Sequence, residues 1–307
     1  MSKTVIVVLG PTGIGKSDLS IQIAQHFNTE IISADSRQIY KELSIGTAVP
    51  PSEDLNKVTH HLIHHHSIQD YYSAALFEKE ALAIIEDRFN SKDTLVVTGG
   101  SMLYIDTLCN GIDDIPDTDP QVRTQLVQEF KEKGLEHMRL QLKQLDPAYY
   151  DKVDLKNPKR ILHALEICLT SGRAYSSMRT EQKKERPFRI IKIGLTRDRE
   201  ELYDRINLRV DKMMEMGLEE EARSVFEFHH LNSLNTVGYK ELFAFFEGEI
   251  DRDKAIELIK RNSRRYAKKQ LSWFRRDSEI NWFNPEQAEA IIRFIEEQNC
   301  RDDQQTN

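Results

Sequence analysis

Apolar and polar positions follow two different patterns over the first 112 residues, one typical of strands and one typical of helices. Short apolar runs rich in β-branched residues, typical of buried strands, occupy 3–9, 30–34 and 94–98. Between these runs, apolar residues recur at helical spacing over 16–27 and over about 73–90. Strands that alternate with helices predict a parallel sheet whose crossover helices cover both faces. The pattern therefore predicts an α/β fold.

The spacing of apolar residues changes between 113 and 187, where helical spacing dominates. Turn signals punctuate this stretch at Asp117–Pro120, Asp146-Pro147 and Asn157-Pro158. A strand-like run returns at 189–195. We therefore predict a discontinuous core, 1–112 and 188–299, interrupted by a helical insertion domain over 113–187. The polar residues 300–307 are expected to form a frayed tail.

A glycine-rich segment joins the first predicted strand to the first predicted helix. It comprises Gly10, Pro11, Thr12, Gly13, Ile14, Gly15, Lys16 and Ser17. This spacing, between a strand and a helix, is typical of a phosphate-binding loop (P-loop). Its backbone N–H groups cradle phosphate oxygens, its lysine reaches the terminal phosphate and its hydroxyl offers a ligand to Mg²⁺. The sequence thus predicts a P-loop NTPase-like core that binds a di- or triphosphate with Mg²⁺.

Composition indicates an ordinary soluble globular protein, with 39% hydrophobic and 30% charged residues. No apolar stretch approaches the roughly 20 residues that cross a bilayer, and the first strand leaves no room for a signal peptide. Three distant cysteines, Cys109, Cys168 and Cys300, indicate neither a disulfide framework nor a zinc site. We expect a cytoplasmic protein, monomeric, without a membrane or DNA partner.

The net charge of −7 argues mildly against nucleic acid, but the charge is segregated along the chain. Acidic residues concentrate over 113–154, whereas lysine and arginine are dense over 156–192 and 252–276. A protein of this kind can still bind a polyanion through a basic groove.

Residues that directly follow parallel strands converge at one edge of the sheet, which here brings together Ser17, Asp35 and Ser101. Three roles remain open for Asp35. Its carboxylate could accept a proton from a nucleophile, cap a turn, or coordinate Mg²⁺ through water.

Two basic clusters have helical spacing. Arg205 and Arg209 face one way and could neutralise phosphate, or form a solvated face paired with Asp204 or Asp211. A second stripe, followed by Trp273 and Phe274, could be surface charge or could stack with bases of a nucleic acid. This stripe consists of Arg261, Arg264, Arg265 and Lys268.

Five histidines, His60, His61, His64, His65 and His66, resemble a metal-binding tract by composition. They lack a carboxylate or cysteine at a recognisable spacing, so a role in a loop is favoured over metal binding.

Five blocks, in order along nearly the whole chain, resemble the bacterial tRNA dimethylallyltransferase family. They are Gly10–Ser17, Ile32–Tyr40 with Ile45–Ala48, Gly99–Tyr104, Asn157–Glu166, and Val237–Glu241 with Tyr266–Arg275. The resemblance implies transfer of the dimethylallyl group of dimethylallyl diphosphate to N6 of adenosine 37 in tRNA. The products are N6-(dimethylallyl)adenosine and diphosphate.

The resemblance also implies roles for particular residues. Asp35 would be the base, while Ser17 with Mg²⁺ and Arg205 would assist departure of diphosphate. Contacts with tRNA are implied at Asp35, Ser36, Arg37, Gln38, Ser101, Arg123, Lys159, Arg160, Ile161, Leu162, His163, Lys268, Lys269 and Arg275.

Other activities use similar residues. A P-loop kinase would bind ATP and phosphorylate a small molecule or nucleotide, with the same lysine, serine and post-strand aspartate. An isopentenyltransferase could instead modify free adenine nucleotides. The helical insertion and the basic C-terminal region favour tRNA, and a complete P-loop argues against a purely RNA-binding module.

Overall fold

The computed structural model describes residues 3–116, 119–180 and 182–303. The chain divides into two compact units. The sheet unit comprises Met1–Asn110 with Glu185–Asn307, and the helical unit comprises Gly111–Lys184.

The sheet unit contains six parallel strands in the order β3-β2-β4-β1-β5-β6. Their bounds are β1 Thr4–Leu9, β2 Ile31–Ser33, β3 His60–His61, β4 Thr94–Gly99, β5 Arg189–Leu195 and β6 Asn281–Phe283. Every residue of β1 is buried, as expected for a central strand that is covered on both faces. The predicted α/β fold is confirmed.

Helices of the sheet unit follow the strands along the chain. Their bounds are α1 Lys16–His26, α2 Ser52–Lys57, α3 Ala74–Arg88, α4 Met102–Asn110, α9 Arg199–Glu215, α10 Leu218–Ser224, α11 Tyr239–Phe246, α12 Arg252–Phe274 and α13 Ala288–Asp303. Short 3₁₀ turns lie at Phe226–Phe228 and Asn232–Leu234. Ile6 and Val8 of β1 share an apolar cluster with Ile23 of α1 and Ile291 of α13. This packing holds α1, and the loop before it, against the sheet.

The helical unit consists of α5 Pro120–Leu145, α6 Pro147–Tyr150, α7 Pro158–Ser171 and α8 Tyr175–Met178. Gly134 interrupts α5 with a φ of 76° and gives the helix a kink. Leu142 and Ile161 are fully buried in the apolar core between α5 and α7. The buried Asp146 accepts hydrogen bonds from Tyr149 N and from Ser176 N and Oγ, so its carboxylate ties α6 to α8.

Element bounds differ from the sequence predictions in a few places. The insertion begins at Gly111 rather than 113 and ends at Lys184 rather than 187. The helix predicted over 73–90 spans 74–88 because Ser73 caps it, its side chain accepting from Leu76 N. Helix α13 continues to Asp303, so the predicted tail is helical at its start, and 304–307 lie outside the described residues. No helix among the described residues has the length and apolar character needed to cross a membrane.

Candidate active site

A cavity of about 790 Å³ opens at the carboxyl ends of the strands in the sheet unit. Such edges are where open parallel sheets bind ligands. Its lining joins the P-loop residues Thr12–Asp18, the post-strand residues Asp35 and Thr98–Gly100, and residues of α9 and α12. The structure therefore brings Ser17, Asp35, Arg205 and the P-loop into one pocket.

The P-loop wraps the beginning of α1. Gly15 caps this helix with a φ of 106°, a left-handed conformation that favours glycine. Gly13, with a φ of 78°, lies so close to α9 that a Cβ there would be 3.0 Å from Ile206 Cγ1. The loop therefore presents its N–H groups at a helix N-terminus, where an anion is stabilised.

Lys16 bends back over the loop and donates hydrogen bonds to Gly10 O at 3.1 Å and Pro11 O at 2.9 Å. Burial, reinforced by the positive charge of Arg209, lowers the pKa of Lys16 to about 8, while Asp35 opposes the shift. The positive charge of Lys16 is therefore only partly balanced by Asp35. A bound phosphate would supply the negative charge that balances it.

Arg205 and Arg209 of α9 both contact the P-loop. Arg205 Nε donates to Gly13 O at 3.1 Å, and Arg209 Nη1 donates to Thr12 Oγ1 at 3.1 Å. Burial lowers the pKa of Arg209, and Asp35 partly offsets this effect. Asp211, one of the proposed partners on a solvated face, pairs instead with Lys260. The solvated-face interpretation is therefore wrong for Arg209, and the two arginines add positive charge beside the loop.

Asp35 serves as a turn residue and also faces the pocket. Its Oδ1 accepts from Arg37 N at 2.9 Å and Gln38 N at 3.4 Å, which fixes the turn after β2. Its Oδ2 accepts no hydrogen bond from the described residues. Ser101 is 7% exposed, and its hydroxyl bonds Ser36 N at 2.8 Å and Ser36 Oγ at 3.1 Å. Ser101 thus lies under the turn and supports it.

Gln270 of α12 links the P-loop to the end of β4. Its Oε1 accepts from Thr12 N at 2.9 Å, and its Nε2 donates to Gly100 O at 2.8 Å. A Cβ at Gly100 would collide with this Nε2, so the close approach requires glycine. One turn earlier on the same helix, Tyr266 lines the pocket, and the residue is 37% exposed. Burial and the nearby Asp35 raise the pKa of Tyr266 to about 12, which keeps its hydroxyl neutral.

An apolar wall lies beside the phosphate-binding part of the pocket. It is formed by Leu208 and Met213 of α9, by Met216 directly after this helix, and by Ile45, Ala48 and Val49 of the loop that follows Gln38. This wall is held in place by Glu221, whose carboxylate accepts from Ser44 N, Ile45 N and Gly46 N, all at 2.8 Å, and from Tyr239 Oη at 2.6 Å. From the other end, Gln38 Nε2 donates to Ala48 O at 2.9 Å.

Basic residues predicted to contact RNA are exposed on α12 and just beyond it, at Lys268, Lys269 and Arg275. Of the two neighbouring aromatic residues, Phe274 is 2% exposed and packs within the sheet unit, so the base-stacking interpretation is wrong for its ring. Trp273 is half-buried, and its Nε1 donates to Asp106 Oδ2 at 2.8 Å. For Trp273, base stacking stays a prediction.

In the helical unit, the predicted RNA contacts divide into exposed and buried positions. Lys159, Arg160 and His163 are exposed at the beginning of α7, and Leu162 packs partly against the core. Ile161 is fully buried, so the prediction that its side chain touches RNA is wrong. Arg123 of α5 and His163 both face the buried Glu166, with Arg123 Nη1 at 3.4 Å and His163 Nδ1 at 3.7 Å from its Oε2.

Two pocket residues, Tyr266 and Gln270, were missing from the candidate set, and so was Glu221, which supports the apolar wall. Tyr266 and Gln270 are four apart on one helix, the spacing that revealed Arg205 and Arg209, and this signal could have identified them. Glu221 gives no such signal, because its partners lie more than 170 residues earlier in the chain.

Comparisons with known proteins agree with this geometry. The family model described as IPP transferase matches residues 38–277. The tRNA dimethylallyltransferase 1 of Bacteroides thetaiotaomicron is 57% identical over 296 residues, which cover 96% of each chain.

Solved structures agree as well. The full-length tRNA isopentenylpyrophosphate transferase of Bacillus halodurans has a TM-score of 0.73 and 31% identity, with 99% of both chains covered. A eukaryotic dimethylallyltransferase acting on tRNA has a TM-score of 0.76 and 29% identity, covering 89% of this chain and 70% of its own. With its P-loop, two arginines and post-strand aspartate in one pocket, and with this likeness along nearly its whole length, the chain belongs to the IPP transferase family.

Proposed function

We propose that this protein transfers the dimethylallyl group of dimethylallyl diphosphate to N6 of adenosine 37 in tRNA, releasing diphosphate. The observation that carries this proposal is the composition of one pocket. A P-loop with Lys16, Arg205 and Arg209 shares it with Asp35 and with an apolar wall. The cations suit a diphosphate, the carboxylate suits a proton, and the apolar wall suits a hydrocarbon chain.

Diphosphate is the leaving group, and its negative charge grows as the bond to carbon breaks. Fixed N–H groups of the P-loop and the cations of Lys16, Arg205 and Arg209 would stabilise that charge where it develops. Because these donors are already held by contacts within the protein, little reorganisation is needed when the reaction occurs.

Mg²⁺ fits the oxygen ligands at this edge of the sheet. Ser17 is exposed in the first turn of α1 and lines the pocket together with the Asp35 carboxylate. Hydroxyl and carboxylate oxygens are the ligands that Mg²⁺ prefers. When bound, the ion would add positive charge beside the diphosphate.

Asp35 would accept the proton that the amine loses. As N6 forms its bond to carbon 1 of the allyl group, the carbon–oxygen bond breaks and its electrons leave with diphosphate. The nitrogen then carries one proton too many, and the Oδ2 of Asp35 would take it, because Oδ1 is occupied by the turn. Tyr266 supplies an aromatic face and a neutral hydroxyl near this carboxylate.

The apolar wall suits the dimethylallyl chain. Leu208 and Met216 are 56% and 67% exposed and both line the pocket, where a bound hydrocarbon chain would cover them. Outside the pocket, Lys268, Lys269 and Arg275 of the sheet unit and Lys159 and Arg160 of the helical unit would contact RNA phosphates.

One experiment separates this reaction from a kinase. Purified protein is incubated with labelled dimethylallyl diphosphate, Mg²⁺ and unmodified tRNA, and in parallel with ATP and free adenine nucleotides. Label in tRNA supports the proposal, and label in free nucleotides supports a nucleotide isopentenyltransferase. ATP turnover without transfer of the allyl group would overturn the proposal in favour of a kinase.

Asp35→Asn tests the base within the same assay. The amide oxygen can still accept from Arg37 N, so the turn is kept, but proton transfer is lost. Single-turnover transfer should slow about 10²–10⁴-fold, with diphosphate affinity largely kept. Asp87→Asn, an exposed position on α3, is the matched control. An unchanged rate for Asp35→Asn would remove Asp35 as the base.

A further inference from the structure

The histidine-rich segment, which begins with β3 and runs to His66, has no role in the proposed reaction. Three of its members have ordinary structural partners. His60 Nδ1 bonds Val58 O at 2.8 Å, His61 Nε2 lies 2.6 Å from Glu30 Oε2, and His64 Nε2 lies 3.1 Å from Ser44 Oγ. The remaining pair, His65 and His66, faces a carboxylate that the local sequence does not contain.

That carboxylate belongs to Glu80, which lies about one and a half turns after the beginning of α3. One ligand atom from each of His65, His66 and Glu80 lies within 4.8 Å of the other two. We propose that these three residues form a site for a divalent transition metal, with Zn²⁺ the best match and water completing the coordination. Two imidazoles and one carboxylate form a three-ligand set that zinc uses in open, four-coordinate sites.

The distances suit a small ion. His66 Nε2 and Glu80 Oε1 are 3.1 Å apart. Zinc bonds of about 2.0–2.1 Å in a tetrahedron place ligand atoms about 3.3–3.4 Å apart, so these two atoms are already at nearly the required separation. His65 is exposed, and a change of its side-chain rotamer can bring it to the third position without movement of the core.

Neighbouring side chains orient the ligands as they do in known metal sites. Asp70 Oδ2 is 3.6 Å from His66 Nδ1, on the side of the ring away from Glu80. Tyr72 Oη donates to Glu80 Oε2 at 2.8 Å, which leaves Oε1 for the metal. A carboxylate behind a ligating histidine fixes its tautomer and raises its basicity, and such partners contribute strongly to metal affinity.

A metal here would also bear on the pocket. His64 N donates to Gln38 O at 2.9 Å, His65 N to Ile39 O at 2.7 Å, and His66 N to Ile39 O at 3.0 Å. His64 itself lines the pocket. Holding His65 and His66 in place therefore holds the segment that follows Asp35. We expect bound zinc to rigidify this segment.

Zinc titration of tag-free, chelator-treated protein tests the site without either substrate. Calorimetry should show one strong site per chain, and Co²⁺ should give the intense visible absorption of tetrahedral coordination. Asp70→Asn should weaken binding about 10–100-fold, as loss of an orienting carboxylate does. His65→Ala and Glu80→Gln remove ligands and should weaken binding further.

The matched control is His26→Ala, which removes an exposed histidine that lies 2.9 Å from Glu296 but forms no three-ligand group among the described residues. It should bind zinc as the unaltered protein does. Zinc should also slow hydrogen exchange at the amides of 64–66. Equal affinity in His65→Ala, Glu80→Gln and the unaltered protein, or no stoichiometric binding, would overturn the site. Because none of these readouts uses tRNA or dimethylallyl diphosphate, they are independent of the proposed reaction.

Discussion

Raising the pH from 7 to 9 should weaken diphosphate binding about tenfold, because Lys16 loses its positive charge in that range. Its pKa is lowered to about 8 by burial and by the charge of Arg209. At that pKa, about 90% of the ammonium groups are charged at pH 7 and about 10% at pH 9. If only the charged form binds, the apparent Kd grows about tenfold, which corresponds to about 1.4 kcal/mol. An ordinary lysine, with a pKa near 10.4, would give almost no change.

The predicted fall in affinity with rising pH follows from the negative charge of the ligand. Diphosphate places negative charge beside the ammonium group and raises the pKa of Lys16 in the complex, so binding at pH 9 must take up close to one proton. Calorimetry of dimethylallyl diphosphate binding in two buffers with different ionisation heats measures this uptake directly. The titrations omit Mg²⁺, so that ion binding does not add its own pH dependence. The terminal phosphate, with a second pKa near 6, is already about 90% ionised at pH 7, so its own titration adds little change above that pH.

Two variants locate the effect. Lys16→Met should bind more weakly, and its affinity should no longer fall between pH 7 and 9. Arg209→Gln removes a charge that lowers the pKa of Lys16, so the fall in affinity should begin at a higher pH. A constant Kd between pH 7 and 9.5 in the unaltered protein, or the same slope in Lys16→Met, would refute the assignment of this proton to Lys16.

Other substitutions test the supports of the site. Glu221→Gln should cost about 1–3 kcal/mol in urea unfolding, since a charged acceptor of three backbone N–H groups is lost, and should raise the KM for dimethylallyl diphosphate. Gly100→Ala should displace Gln270 and slow single-turnover transfer about 10²-fold, whereas a normal rate would show that the link to Thr12 is dispensable. Ile161→Ala should destabilise the helical unit by about 2–5 kcal/mol. Lys159→Ala should leave stability unchanged but weaken tRNA binding and reduce its salt dependence.

Local patterns predicted the parts of the site that local physics determines. The P-loop and Asp35 could be placed because parallel strands end at one edge, and residues after them must converge. Arg205 and Arg209 followed from a spacing of four on a helix. Each of these inferences needs only a short window of sequence.

Contacts between distant segments could not be inferred in this way. Thr12 and Gln270 are 258 residues apart, and no pattern near either one indicates the other. Glu80 likewise completes the histidine pair from a different element. Ile161 is a different kind of error, because it lies in a run that resembles RNA-contacting residues while helical periodicity places it in the core with Leu165 and Cys168. Where a family likeness and periodicity disagree about one side chain, burial follows periodicity.

Helix α12 carries residues for both substrates on one continuous 23-residue rod. Gln270 accepts from Thr12 N of the P-loop, while the nearby Lys268 and Lys269 are exposed and are predicted to contact RNA. A shift of α12 on RNA binding would therefore move the side-chain amide of Gln270, which bonds Thr12 N of the P-loop. Thermodynamic linkage then requires the effect to be reciprocal. If bound tRNA raises the affinity for dimethylallyl diphosphate by some factor, bound dimethylallyl diphosphate raises the affinity for tRNA by the same factor. If RNA binding shifts α12 in this way, each substrate becomes an effector of the other through this helix.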